Sequence, residues 1–186
     1  MRGTKRGMKG TITAVCMSSE KHVQKEDVGS ALLVEEMGLE GDAHAGFAHR
    51  QVSLLAEESI DKMRRLGLKD LRPGAFGENL TTRGLDLLSL RVGDRLRVGE
   101  EAVLEVSQIG KECVERCAIY YQAGDCIMPR EGIFARVIRG GRISRGDIIA
   151  LESAGEKGDP HLSGDLPRGQ ADTDALEGES GEGGLS

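Results

Sequence analysis

Three of the chain's four cysteines lie within seventeen positions, in GKECVERCAIYYQAGDC at residues 110–126. Cys113 and Cys117 are four residues apart, which would place both on one face of a helix, and Cys126 follows after eight intervening residues. A structural zinc site takes four ligands, usually in two close pairs, and no fourth cysteine or histidine lies nearby in the sequence. The last gap also does not suit the usual loop around an iron–sulfur cluster. We therefore favour one working thiol with two cysteine neighbours over a metal clamp.

Cys113 is the best candidate for that thiol. Lys111 precedes it by two residues and Arg116 follows it by three, so positive charge would stabilise its thiolate. A helical turn over residues 112–115 would add the partial positive charge of N-terminal amides. Cys113 could then act as a nucleophile or a soft-metal ligand, with Lys111 keeping the thiolate charged. The alternative is that Cys113 and Cys117 pack in the core, because free cysteine is among the most buried residue types.

A glycine-rich loop gathers two of the chain's four histidines. GLEGDAHAGFAHRQVSLL places His44, His49 and Arg50 between two predicted strands. Two histidines five residues apart could bind iron or zinc together with a cysteine. A solvated loop without metal is the alternative.

Two further stretches could line the same site. RPGAFGENLTTRGLDL places Gly77, Glu78 and Asn79 at a turn whose backbone amides could approach an anion, although most such turns only satisfy backbone geometry. MPREGIFARVIRGGRISRGD contains Arg136 among four arginines, which suit a phosphate or an acidic partner and are equally normal on a strand surface.

Short strands with period-two patterning must position these residues. The segments GTITAVCMS, ALLVEEMGL, RQVSLLA and ISRGDIIAL predict strands, and DRLRVGEEAVLEVSQIG predicts a hairpin that turns at Gly99 and Glu100. Cys16, in the first strand, is predicted to pack in the core. AEESIDKMRRLG predicts a helix that stops at Gly67, with acids in its first turn and arginines in its last. The pattern predicts a mainly β fold, a closed or nearly closed β-barrel with one or two short helices.

Charge divides the chain unevenly. From Glu152 to the C-terminus nine acids face only Lys157 and Arg168, so this segment carries −7; the whole chain carries −6, which leaves +1 for the first 151 residues. The segment is glycine-rich and has no aromatic residue, so we predict a disordered tail over residues 152–186, a barrel domain over 9–151 and a flexible N-terminus over 1–8. Such a tail could recruit a partner, shield a basic site or be a solvated extension. The near-neutral body lacks a basic stripe, which argues against nucleic-acid binding.

The sequence also predicts where the protein works. No apolar run reaches the eighteen or more residues that a membrane-spanning helix needs, and MRGTKRGMKG leads into no apolar stretch typical of a secretory signal. We therefore expect a cytoplasmic protein without membrane contact, where clustered cysteines are reduced, metal-bound or catalytic.

Four blocks together resemble a known family. GLEGDAHAGFAHRQVSLL, RPGAFGENLTTRGLDL, LRVGDRLRVGEEAVLEVSQIGKEC and MPREGIFARVIRGGRISRGD occur in the order seen in the MOSC domain, named for the C-terminus of molybdenum cofactor sulfurase, and the resemblance covers roughly residues 8–151. It implies a strand-rich barrel, an association with molybdopterin-type cofactors, and one essential cysteine, which corresponds to Cys113. That cysteine would carry sulfur as a persulfide, or ligate the molybdenum of a bound cofactor.

The resemblance also implies a cofactor pocket, which would be shaped by the loops around His44, His49 and Arg50 and around Gly77, Glu78 and Asn79, with Arg136 nearby. In stand-alone bacterial members a histidine commonly follows the cysteine, whereas Val114 stands here. No pyridoxal-phosphate site is identified, so we expect a cysteine desulfurase partner as sulfur donor and a molybdoenzyme or cofactor-maturation protein as acceptor. Whether the chain is a sulfur transferase, part of an oxidoreductase, or a non-catalytic module that inserts the cofactor and docks a molybdoenzyme stays open at this point.

Overall fold

A computed structural model describes residues 7–21, 23–68, 70–110 and 126–152. Within these ranges the strands are β1 (Lys9–Met17), β2 (Glu26–Asp27), β3 (Ser30–Val34), β4 (Gly38–Leu39), β5 (Val52–Ala56), β6 (Leu80–Arg83), β7 (Arg95–Val98), β8 (Ala102–Ile109), β9 (Ile133–Arg139), β10 (Gly141–Ser144) and β11 (Ile148–Leu151). The α-helices are α1 (Glu57–Arg65) and α2 (Met128–Glu131), and Leu87–Ser89 form a 3-10 helix.

Seven of these strands close into a barrel. Neighbours run β1, β6, β5, β9, β8, β7, β11 and back to β1. All pairs are antiparallel except β5 with β6, which are parallel because α1 crosses between them. Closure removes the free edges that an open sheet would present. The prediction of a mainly β barrel with one or two short helices is confirmed.

The barrel interior follows from the period-two pattern of its strands. In β7 the exposed arginines alternate with buried Leu96 and Val98, and β8 and β9 likewise send every second residue inward. All five residues of β5 are buried, because a second apolar layer covers its outward face. That layer packs α1, the segment 71–76 and residues 126–128 against outward-facing Leu55 and Phe134. This outer layer packs against the part of the barrel where the candidate site lies.

The local predictions are largely confirmed. The predicted helix is α1, and Gly67 beyond it adopts φ +97°, a left-handed conformation that favours glycine after a helix. The predicted hairpin is β7 and β8. The segment ALLVEEMGL, predicted to supply short strands, contains most of β3 and all of β4, which are separated because the chain turns at Glu36 with φ +54°. These two strands and β10 form a separate three-stranded sheet.

In the part of the chain that the structure describes, no helix is long and apolar enough to cross a membrane.

Candidate functional site

The exit of β8, residues 107–110, is held in place immediately before the three-cysteine segment. The Gly110 N–H donates to the carbonyl oxygen of Gly132 at 2.7 Å. Gly110 has φ +66°, and a Cβ there would overlap the carbonyl oxygen of Pro129, so this position accepts only glycine without a shift of the backbone. The described chain therefore leaves β8 at a defined point beside α2.

His49 is attached to the exit of β8 by its backbone and by its side chain. The Ser107 hydroxyl donates to the His49 carbonyl oxygen, and the His49 imidazole Nε2 lies 2.9 Å from Gln108 Oε1. The Gln108 amide nitrogen donates in turn to the Gly110 carbonyl oxygen at 2.7 Å. Because the amide oxygen of Gln108 can only accept, Nε2 of His49 is the donor in this hydrogen bond.

Arg50 combines aromatic contacts with an unused hydrogen-bond donor. Its guanidinium carbon lies 5.0 Å from the centroid of the Phe47 ring and 5.9 Å from that of Phe134, within range of a cation–π interaction. Its Nε is buried and has no hydrogen-bond partner in the described part of the chain. A buried donor on a permanent cation is costly without an acceptor, so the position is suited to an anionic group.

His44 belongs to a different cluster, built on a buried ion pair. Lys25 Nζ donates to both carboxylate oxygens of Asp42, at 2.7 and 2.8 Å, and these two side chains are 3% and 1% exposed. The backbone N–H groups of Ser18 and His44 also donate to this carboxylate, each at 3.1 Å. The His44 imidazole Nδ1 lies 3.7 Å from Asp42, beyond hydrogen-bond distance. Burial alone would raise the pKa of Asp42, but contacts with His44 and Lys25 outweigh it and hold that pKa well below the usual range.

The turn predicted to receive an anion is filled by a carboxylate of the chain itself. Glu78 is 0% exposed, and its two oxygens accept the backbone N–H groups of Gly74 at 2.7 Å and Phe76 at 3.1 Å. The Thr81 hydroxyl donates to the same carboxylate at 3.2 Å. Burial nevertheless raises the pKa of Glu78 above its usual value. Gly77, at φ +80°, closes this turn beside it.

Asn79 ties three strands together. Its Oδ1 accepts the backbone N–H of Ser53 at 3.1 Å and the Ser53 hydroxyl at 3.0 Å, and its Nδ2 donates to the Cys16 carbonyl oxygen at 3.1 Å. The side chains of Glu78 and Asn79 therefore have their hydrogen bonds satisfied within the protein. Their predicted role at a cofactor stays a prediction, and any such role is to shape the wall of a pocket.

Arg136 lies on the outward face of β9, two residues beyond Phe134. Its Nη2 donates to Glu105 at 2.9 Å, and Arg95 donates to the other oxygen of Glu105 at 3.1 Å. The hydrogen bond to Glu105 raises the pKa of Arg136 further. Arg136 is already engaged by a carboxylate, so its contact with a cofactor also stays a prediction.

Lys111, Cys113 and Cys117 lie outside the described residues, so the proposed roles of this thiol and its neighbours stay predictions. Of the other cysteines, Cys16 is 0% exposed in the core, as predicted, and burial raises the pKa of its thiol to about 12. Cys126 is also buried. Over residues 7–21, 23–68, 70–110 and 126–152, no group of three or more His, Cys, Asp or Glu side chains is placed to hold a metal ion. The iron or zinc site of His44, His49 and a cysteine stays a prediction.

The structure brings only some of the predicted residues together. His49 and Arg50 lie at the exit of β8, whereas His44 joins the Lys25 and Asp42 pair. Sequence patterns missed Gln108, which orients His49. They also missed Gln51, whose buried amide anchors the histidine loop through the Glu36 and Ala48 carbonyl oxygens and the Val137 N–H. The sequence signal that could have identified Gln51 is a glutamine next to the apolar residues of the segment RQVSLL.

The chain is similar to YflK of Bacillus subtilis strain 168, which is itself uncharacterised, with 31% identity over 149 residues. That alignment covers 75% of this chain and 66% of YflK, so the chain spans slightly less than two thirds of its relative.

Two solved structures share the fold. YuaD from Bacillus subtilis matches with a TM-score of 0.67 at 19% identity, over 77% of this chain and 96% of YuaD. YiiM from Geobacillus stearothermophilus matches with a TM-score of 0.59 at 21% identity, over 80% of this chain and 77% of YiiM. The family model of the MOSC domain matches residues 41–150, which contain His44, His49, Arg50 and the exit of β8. The chain therefore belongs to the MOSC domain family, which is linked to the molybdenum cofactor.

Proposed function

We propose that this protein handles the molybdenum cofactor or its sulfur, with Cys113 as a persulfide carrier or as a ligand to molybdenum. Membership of the MOSC family supports the cofactor class. The short chain between the exit of β8 and Cys113 supports a role for this thiol near that exit. Cys113 follows Gly110 by three residues, and an extended chain spans at most about 11 Å over that distance. We propose that the thiol acts near the exit of β8, where His49 and Arg50 are held.

The observation that carries the proposal is the unused Nε of Arg50. Molybdopterin-type cofactors bear a phosphate and anionic sulfur atoms, and an arginine fork recognises such groups by paired, charge-assisted hydrogen bonds. The guanidinium is held between Phe47 and Phe134, so little side-chain entropy remains to be lost on binding. The residues present at the exit of β8 thus fit an anionic cofactor.

The predicted residues divide into two roles in this proposal. Arg50 and His49 contact the anionic part of the cofactor, and the bound group supplies the molybdenum that a thiolate can ligate. Glu78 and Asn79 stabilise the wall of the cofactor pocket and do not bind the cofactor themselves, because their polar atoms form hydrogen bonds within the protein.

Sulfur explains why a cysteine is required. A thiolate exchanges sulfur readily with a persulfide, which a serine hydroxyl cannot do, and a thiolate is also a sulfur ligand for metals. In the carrier form, the Cys113 thiolate attacks the terminal sulfur of a persulfide on a cysteine desulfurase. The new S–S bond forms on Cys113 as the donor's own S–S bond breaks and its thiolate departs. A molybdoenzyme or a cofactor-maturation protein then accepts the sulfur.

The first test is sulfur loading. The full chain is incubated with a cysteine desulfurase and free cysteine, and the modified residue is located by peptide mass spectrometry. We expect labile sulfur on Cys113 in the wild type and in Cys117→Ser, and none in Cys113→Ser. Loading that persists unchanged in Cys113→Ser would contradict the carrier role. If the desulfurase loads a known carrier but not this chain, the ligand role is the form that remains.

The second test addresses Arg50 and does not depend on sulfur transfer. We expect Arg50→Lys to weaken molybdopterin binding about 10-fold or more, because lysine cannot reproduce a paired hydrogen bond worth roughly 1.5–3 kcal/mol to a charged group. Arg142→Lys, an exposed arginine on β10, is the matched control and should bind like the wild type. Equal affinity in Arg50→Lys and the control would contradict the assignment.

A further inference from the structure

The outward face of β7, β8 and β9 carries four arginines that the cofactor proposal does not require. Strand register aligns two rows of three residues across these strands. One row is Arg95, Glu105 and Arg136, and the other is Arg97, Val103 and Arg139. We name the four arginines of these rows the arginine face.

The arginine face keeps most of its positive charge. Glu105 accepts from Arg95 at 3.1 Å and from Arg136 at 2.9 Å, and these two arginine side chains are still 47% and 40% exposed. Arg97 and Arg139 are exposed and form no ion pair with any described residue. Four arginines and one glutamate leave a net charge of +3 on the two rows.

Two glutamates lie directly beside the arginine face, along the edge of β9 that faces away from β8. The Glu36 N–H donates to the Val137 carbonyl oxygen at 3.0 Å, and the Gln51 side chain bonds to the Glu36 carbonyl oxygen and the Val137 N–H. Glu35 lies next to Gly140, where an added Cβ would be 3.5 Å from the Glu35 nitrogen. We name Glu35 and Glu36, both exposed, the acidic turn.

The acidic turn does not neutralise the arginine face of its own chain. The pKa of Arg136 is raised mainly by its hydrogen bond to Glu105, and the charge of Glu36 adds less. Neither Glu35 nor Glu36 forms an ion pair among the described residues. Two patches of opposite sign, +3 and −2, therefore lie side by side on one surface.

A surface of this kind is complementary to a second copy of itself. In a two-fold symmetric dimer, each patch contacts the other patch of the second chain, so one type of contact forms twice. β9 lies between β8 and the acidic turn, and neighbouring strands are about 5 Å apart. A two-fold axis over β9 therefore sets the arginine face of each chain against the acidic turn of the other.

The acidic turn also argues against a polyanionic partner of another kind. A nucleic acid or a uniformly acidic protein segment would place its own negative charges opposite Glu35 and Glu36, and like charges across an interface are unfavourable. A second copy brings both signs, so it satisfies both patches at once.

Exposed apolar side chains adjoin the two charged patches. Met37 follows the acidic turn and is 48% exposed, and Phe47 is 44% exposed. The two lie close together, since an added Cβ on Gly46 would be 3.6 Å from the Met37 sulfur. Methionine, aromatic residues and arginine are the types enriched in protein interfaces. Met37 and Phe47 supply apolar area that a second chain can cover.

We propose that two copies of this chain associate through the arginine face and the acidic turn. Salt weakens this dimer, because the charged side chains on both patches are exposed to solvent. The inference does not depend on the cofactor proposal, because neither patch contains Cys113, His49 or Arg50.

Analytical ultracentrifugation of the full chain tests the proposal at about 50 mM and about 500 mM NaCl, between which the screening length falls about threefold. We expect the average mass of the wild type to rise with concentration toward that of two chains, and to rise less at high salt. Arg97→Glu/Arg139→Glu and Glu35→Arg/Glu36→Arg each place like charges opposite one another. We expect each variant alone to raise the dimer dissociation constant about 10-fold or more at low salt.

An equal mixture of these two variants separates a specific contact from a loss of folding. In the mixed dimer the reversed patch of one chain faces the reversed patch of the other, and the two unchanged patches also face each other. Both contacts are then attractive. We expect the mixture to associate about as strongly as the wild type, which neither variant does alone.

The matched control is Arg65→Glu/Arg72→Glu, which changes the net charge by the same amount at two exposed arginines elsewhere on the surface. We expect it to associate like the wild type. A control that is weakened as much as Arg97→Glu/Arg139→Glu would overturn the proposal, because the effect would then come from net charge.

Two other results would also overturn it. One is a wild type that stays monomeric at about 1 mM chain in low salt, which would leave the arginine face to a different partner. The other is a mixture of the two charge-reversed variants that associates no more than each variant alone.

Discussion

Replacing Asp42 by asparagine tests the central energetic claim about the loop that carries His44. The Lys25 ammonium is buried with its side chain 3% exposed, and it donates two hydrogen bonds to the Asp42 carboxylate. The side-chain amide introduced by Asp42→Asn would keep one acceptor oxygen but no charge. The ammonium would then stay in the interior without a counter-ion.

The expected cost follows from that burial. Removing one partner of a buried ion pair costs about 3–5 kcal/mol, whereas removing both partners and refilling the space with apolar side chains is often neutral. We therefore expect Asp42→Asn to lower the free energy of unfolding by about 3–5 kcal/mol. We expect Lys25→Met/Asp42→Asn, which removes both charges but keeps an acceptor oxygen for the backbone N–H groups of Ser18 and His44, to recover most of that loss. Lys62→Met breaks the exposed pair of Lys62 with Glu131 and should cost about 0–1 kcal/mol.

Low pH should reduce the difference in the free energy of unfolding between the wild type and Asp42→Asn. A carboxyl whose folded pKa is depressed contributes stability that is present above its unfolded pKa, about 3.9, and is lost as pH falls through the folded pKa. The wild-type advantage over Asp42→Asn is therefore complete at neutral pH and shrinks below about pH 4.

Urea unfolding followed by circular dichroism at several pH values measures all four proteins. The midpoint of unfolding and the slope give the free energy of unfolding for each. The reasoning is refuted if Asp42→Asn costs no more than Lys62→Met at neutral pH. It is also refuted if the double variant is no more stable than the single one.

Three further predictions concern stability and reactivity. Gly74→Ala should cost several times more than Gly77→Ala in urea unfolding, since both glycines have φ near +80° but only at Gly74 would the new Cβ overlap a carbonyl oxygen; equal costs would contradict this. Asn79→Ala should lower the free energy of unfolding by about 2–4 kcal/mol in the same assay, because it leaves the Ser53 N–H without its side-chain acceptor and the Cys16 carbonyl without this donor. A decrease of less than about 1 kcal/mol would contradict this prediction. Cys16, with its pKa raised to about 12, should resist iodoacetamide at pH 8 in the folded protein and react after unfolding, and mass spectrometry showing early labelling would count against its burial.

Local patterns predicted the elements of this fold well. Alternating apolar residues in β7 and β8 place one face of each strand inside any barrel, and acids and bases at the two ends of α1 specify its direction. The exception is ALLVEEMGL, where nothing in the apolar pattern predicts the left-handed turn at Glu36 that separates β3 from β4. Turns of this kind depend on one residue's backbone conformation, which hydrophobic periodicity does not report.

The candidate site was predictable only in part. Residue types drew attention to His49, Arg50 and Glu78, because imidazole, guanidinium and carboxylate groups carry chemistry. Residue type does not reveal what each group is bonded to. Glu78 proves to satisfy the N–H groups of its own loop, whereas Arg50 keeps a buried donor that no described residue accepts.

By itself the sequence determined the mainly β barrel, the family and the uneven charge along the chain, because period-two patterns, motif blocks and composition are properties of neighbouring residues. The tertiary structure alone decided which polar groups meet. Gln108 orients His49, Lys25 neutralises Asp42, and Glu105 of β8 accepts from Arg95 of β7 and Arg136 of β9. Each of these contacts joins residues far apart in the chain, and strand register and barrel closure, not local propensity, set their distances.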